Sequence, residues 1–152
     1  MIKGLYPFGL NHYRSLKFQK LRKLISKNQR KIKVEGAYGS SLSFLLIDIF
    51  SSINQQIFYI SNTKEPASYV YSDIVELIGE KNCSFLPSNY RSDAKKIKDE
   101  SKIINRSKTI RDILDNETKI IVTYPEAIFE KIPNEKEIDS KTINIEKGQF
   151  LK

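Results

Sequence analysis

Apolar residues recur at Tyr13, Leu16, Leu21, Leu24 and Ile25 in "NHYRSLKFQKLRKLISKN". That spacing predicts a helix with one narrow apolar stripe, which Asn11 can cap. In "RKIKVEG", Ile32 and Val34 alternate with charges, which predicts a short strand ending at Gly36. The stretch from about Ser41 to Ile53 is apolar on most faces and reads as a helix buried against a sheet. "QQIFYIS" follows as a strand. "KEPASYVYSDIVELIGE" is a helix with Pro66 in its first turn and Gly79 at its carboxyl end. "CSFLP" is a brief strand stopped by Pro87. "SNYRSDAKKIKDESKIINRSKTIRDILDN" opens as a polar loop and becomes a long charged helix, with Ile97, Ile104 and Ile113 among its inward candidates. "TKIIVTYP" is a β-branched strand and "EAIFEKI" a short helix. Beyond Pro133 the chain turns polar, and "KTINIEKGQFLK" reads as one isolated strand plus a tail.

Strands alternating with helices predict a mostly parallel sheet covered on both faces, an α/β three-layer sandwich. The chain has 152 residues, enough to bury roughly two-thirds of its unfolded surface around one core. The pattern divides it into an α/β domain over residues 1–133 with a basic N-terminal helix, and a tail over 134–152 that resembles the start of a second domain.

"KVEGAYGSSLSFLLIDIF" has the outline of a phosphate-binding loop between a strand and a helix. Such loops turn backbone N–H groups at a helix N-terminus toward phosphates, use a lysine on the terminal phosphate oxygens, and hold magnesium with a hydroxyl. Against the G-x-x-x-x-G-K-[ST] spacing, Gly36 fills the first place, Ser41 replaces the second glycine, Leu42 replaces the lysine, and Ser43 keeps the hydroxyl. Gly39 and Ser40 complete the turn. The backbone shape is retained without the charge, so hydrolysis is not expected here, and a strand-to-helix turn is the preferred reading over nucleotide binding.

Other residues carry weaker signals. Lys64 follows the second strand at the edge of the sheet where ligands of such folds collect, yet it is also an ordinary surface lysine opening a helix. Tyr90 and Arg91 could stack on a base and contact a phosphate, or simply belong to a solvated loop. His12 has no partner triad, Cys83 reads as a buried thiol, and Glu126 as a helix-start charge. No catalytic residue and no metal ligand is assigned.

Charge changes the picture at one end. The net charge is +8, but Met1 to Lys33 holds ten basic residues and no acidic one, leaving 16 basic and 18 acidic residues after it. A polyanion-contacting segment would look like this, with Lys20, Arg22 and Lys23 as candidate nucleic-acid or partner contacts. A lysine-, isoleucine- and asparagine-rich composition of the kind AT-rich coding gives would look the same. The single cysteine excludes an intrachain disulfide and a cysteine-cluster metal site, and fits a reducing cytoplasm. The longest apolar run, Phe44 to Phe50, is too short to span a membrane and contains Asp48. The N-terminus has no apolar core or small-residue cleavage site of a signal peptide.

Taken in order, "VEGAYGSSLSFLL", "IFYISNTKEPASYVYSDIVELIG", "FLPSNYRSD" and "KIIVTYPEAIFEKIP" closely resemble the N-terminal region of bacterial transcription-repair coupling factors (Mfd), over about Ile2 to Gly148. That region is in turn similar to the first domain of the excision-repair protein UvrB, whose equivalent loop keeps its lysine. The resemblance implies a RecA/P-loop-like fold of the UvrB domain 1 type. It implies a whole protein that displaces stalled RNA polymerase with a distant ATP-driven translocase and recruits UvrA to damaged DNA. It further implies that ATP and magnesium belong to those motor domains, that this region binds no cofactor, and that the loop with Leu42 is architecture. In the family the UvrA-binding surface lies chiefly in the module's second domain, so no partner-contact residue is carried over. UvrA, RNA polymerase and DNA are the expected partners, with no membrane.

Overall fold

The computed structural model describes residues 16–27, 29–89 and 100–132. Its elements run α1 (Leu16–Ser26), α2 (Ser40–Ile53), β1 (Ile57–Ile60), α3 (Lys64–Ile78), a 3-10 turn (Glu80–Asn82), β2 (Cys83–Phe85), α4 (Glu100–Leu114), β3 (Ile120–Thr123) and α5 (Pro125–Ile128). Asn11, Ile97, Pro133 and the tail from residue 134 lie outside the described residues.

Local chemistry sets most boundaries. α3 starts with Pro66 in its first turn, where a missing N–H leaves no helical bond unmade. It buries Ala67, Val70, Ile74 and Ile78, one stripe at helical spacing. Its end is fixed by Gly79, whose φ of +82° suits a residue without Cβ, and whose N–H donates to the Val75 carbonyl at 2.8 Å. α2 ends on Asn54 in the left-handed region, with its N–H on the Phe50 carbonyl.

The expected strand over 30–36 does not form; this stretch is irregular and Val34 is 48% exposed. Alternation gave it an amphipathic surface, but a strand also needs a neighbouring ladder, and no described strand pairs with it. In α4 the inward residues are Arg106, Thr109, Ile110 and, partly, Ile113. Ile104 was an inward candidate but is 64% exposed. At about 100° per residue it lies roughly opposite Ile113, so one helix face could not bury both.

The sheet is parallel, in the order β1-β3-β2. The register sets Ile57 against Ile120 and Ile120 against Cys83. Side chains in register share a face. Ile57, Tyr59, Ile120, Val122, Cys83 and Phe85 therefore point to one side, where Tyr71 of α3 meets Phe85 with ring centroids 5.4 Å apart. The other side carries α4: Ser84 Oγ donates to Asp112 Oδ2 at 2.7 Å, and Thr109 Oγ1 to the Phe85 carbonyl at 2.8 Å. All four β3 residues are buried, as expected of a central strand covered on both faces. Phe58 and Ile60, on the α4 side of β1, are half exposed, so the second helical layer stops short of β1. The fold is thus α/β with a small, open, three-stranded parallel sheet, consistent with a sandwich.

One buried cation joins the layers at the carboxyl edge. Arg106 Nη1 donates to the carbonyls of Pro87 (2.7 Å) and Ala127 (3.1 Å), and its Nε lies 3.3 Å from Glu130 Oε2. Glu130 also accepts from Ser88 Oγ, and Ser88 N–H donates to Tyr124 Oη at 2.8 Å. Nη2 is buried without a hydrogen-bond partner, so this junction is incompletely satisfied. Arg106→Ala would strand two carbonyls and a carboxylate. We expect a loss of about 3 kcal/mol, read as a lower urea midpoint at unchanged slope; a loss within experimental error would contradict the junction's role.

Candidate functional site

The candidate site is the turn from residue 36 to residue 43. Gly36 and Gly39 adopt φ of +83° and +53°, which strains any residue with a Cβ, although open space surrounds both. The glycines are needed for backbone direction and not for close approach of a neighbour. Gly39 caps α2 without a side-chain bond. The Ser41 N–H donates to the Tyr38 carbonyl at 3.2 Å and the Leu42 N–H to the Gly39 carbonyl at 3.1 Å, while Ser41 Oγ reaches Tyr38 O at 2.6 Å. Two of the amides that a phosphate cradle would aim at an anion are therefore turned onto the loop's own carbonyls.

The two residues that matter most for phosphate chemistry are turned inward. Leu42, at the lysine position, is partly buried against the hydrophobic core. Ser43, at the metal-holding position, is fully buried, and its Oγ donates to Asp73 Oδ2 of α3 at 3.0 Å. Its hydroxyl joins two helices.

Five residues later, Asp48 is also fully buried on α2 and accepts both Nε and Nη2 of Arg22 from α1. A charge inside so apolar a helix needs a fixed partner, and the bidentate guanidinium supplies one. Arg22, a candidate nucleic-acid contact, is thus engaged within the fold. Lys20 and Lys23 are exposed on α1. Between α1, residues 32–37 and the start of α2 runs a groove of about 530 Å³, walled by Leu21, Leu24, Ile32, Val34 and Leu45, with Lys20, Lys33, Glu35, Gly36 and Ser41 also on its lining. Lys33 pairs with Glu35 at 2.6 Å on its exposed margin.

The remaining candidates are scattered. Lys64 is the exposed first residue of α3, just past the carboxyl end of β1. Glu126 is exposed at the start of α5. Tyr90, Arg91 and His12 lie outside the described residues. Asp73 and Arg106 escaped the sequence reading, because polar residues on half-exposed helices give no sign of which ones turn inward. Asp48 could have been found, as the one charge within "SFLLIDIF". No group of three or more His, Cys, Asp or Glu among the described residues could hold a metal ion, and no described helix is long and apolar enough to cross a membrane.

Cys83 is buried on β2, and burial pushes its thiol up from an ordinary 9.0 to about 12. The thiolate, which is the nucleophile, is therefore suppressed near neutrality. A raised folded-state pKa stabilises the fold below the unfolded value and is lost as pH rises toward 12, because only the unfolded chain then releases the proton. Cys83 should resist a disulfide reagent at pH 8 and react stoichiometrically in urea. Rapid reaction of the folded chain would contradict its burial.

No family model, curated protein or solved structure matches this chain in comparison with known proteins.

Proposed function

We propose that this chain is the UvrB-like α/β region of a transcription-repair coupling factor, of RecA/P-loop-like type, acting as a non-catalytic scaffold in cytoplasmic DNA repair. On this reading the whole protein displaces stalled RNA polymerase and recruits UvrA, and this region takes no cofactor of its own. The family assignment rests on the four ordered motifs of the sequence. The scaffold role rests on one observation above all: the Ser43 hydroxyl is buried on Asp73, beside a Leu42 that packs on the core. A nucleotide-binding helicase-like domain would need that hydroxyl facing a metal ion and a cation in place of Leu42.

Thermal unfolding with Mg-ATP separates the two. A ligand at about 100 times its Kd adds about 2.7 kcal/mol to stability. We expect no shift of the midpoint for the natural chain. A saturable shift, absent when Gly36 and Gly39 are replaced by alanine in a variant that still unfolds cooperatively, would overturn the scaffold reading.

A second reading, a nucleic-acid module, is favoured by the exposed Lys20, Lys23, Lys27, Arg30 and Lys31. Phosphate contacts of this kind predict affinity that falls steeply with salt and weakens when Lys20 and Lys23 are made neutral. Absent or salt-insensitive binding of duplex and single-stranded DNA would remove this reading.

A further inference from the structure

We propose that the groove between α1 and the start of α2 is a docking surface for a short acidic, amphipathic segment of a partner protein. This goes beyond the scaffold reading and does not depend on it. The inference begins with the walls. Leu24, Ile32 and Leu45 are only partly buried and Val34 is half exposed, so the groove presents apolar side chains to solvent. Its volume, about 530 Å³, falls within the roughly 300–1,000 Å³ typical of clefts that seat a ligand.

The charge on the elements that wall the groove is predominantly positive, with Glu35 as the one carboxylate on the lining. Lys20, Lys33 and Glu35 stand on the lining, and Lys23, Lys27, Arg30 and Lys31 are exposed on α1 and the segment after it. No carboxylate occurs before Glu35, which is paired with Lys33, and Asp48 is buried on Arg22. Apolar walls inside a cationic margin complement an occupant with apolar anchors on one side and carboxylates on the other. A helical segment with apolar residues at i, i+3 and i+4 has this form. The anchors would govern residence, and the lysines would govern encounter rate and salt dependence.

A nucleic acid fits less well. It would satisfy the lysines but leave the leucine and isoleucine walls unused, and no aromatic ring among the described residues lines the groove to stack a base. The chain's own first 15 residues fit less well too, since they contain no carboxylate to meet the lysines.

The test titrates the full chain against a fluorescent helical peptide of glutamate and leucine in amphipathic order. Two comparison probes are used: a scrambled peptide of the same composition, and a single-stranded oligonucleotide of equal charge. Saturable binding of the ordered peptide is expected, at least tenfold tighter than that of the scrambled one. Amide shift changes should be confined to α1, residues 32–37 and the first turns of α2. The exposed pair Lys20→Glu with Lys33→Glu should weaken binding at least tenfold without moving the thermal midpoint. Leu24→Gln should weaken it with salt dependence retained. Equal binding of ordered and scrambled peptides would reduce the groove to non-specific charge and overturn the proposal. Tighter oligonucleotide binding, insensitive to Leu24→Gln, would reassign the surface to nucleic acid. No saturable binding of the ordered peptide also overturns it.

Discussion

The sheet depends on the insertion of β3 between two strands that precede it in the chain. Among the described residues β1 and β2 do not pair with each other; each is laddered to β3 alone. Until Ile120–Thr123 arrives neither has a described neighbour, and the loops to be closed around it are long. This explains why β3 is the most apolar and most completely buried strand. Polar bonds around it come from the flanks of both neighbouring strands and from α4: Gln56 Nε2 to the Glu117 carbonyl, Thr123 Oγ1 to Leu86 O, and Lys119 Nζ to Asp112. These contacts fix the register at both ends of a four-residue strand, where a one-residue slip would reverse its two faces.

The glycine turn before α2 stands apart from the described sheet's hydrogen bonding. In a working loop a strand delivers the first glycine to the cradle. Here residues 30–36 join no ladder among the described residues, and the turn is held instead by α2, through Ser43 on α3 and Asp48 on α1. Of the polar groups in "GSSLSF", Ser43 bonds a neighbouring helix and Ser41 the loop's own Tyr38 carbonyl. The hydroxyl–carboxylate bond and the part-buried guanidinium–carboxylate pair give helix packing a direction that apolar contact alone does not.

The same pair accounts for the separation of charge on α1. Arg22 turns inward to Asp48, while Lys20, Lys23 and Lys27 remain in solvent. The ion pair holds the amphipathic helix against α2, and Lys20 stands on the lining of the groove beside it. The basic N-terminal segment therefore has two physical roles, an anchoring cation and a cationic margin, that composition alone merges into one number.

The sequence by itself determined the alternation of helices and strands, the ends of α3 at Pro66 and Gly79, and an apolar side chain at Leu42. These are local: dihedral freedom, a missing donor and a side-chain type act within a turn of their own position. It also held the ordered motifs on which the family proposal rests. Tertiary structure alone decided the rest. Whether Ile32 and Val34 become a strand depends on a ladder partner distant in sequence. Whether Ile104 or Ile113 turns inward depends on where α4 meets β2. Whether Ser43 faces a ligand or Asp73 depends on the packing of α2 on α3. Each is a choice between local conformations of similar energy, made by neighbours far apart in the chain.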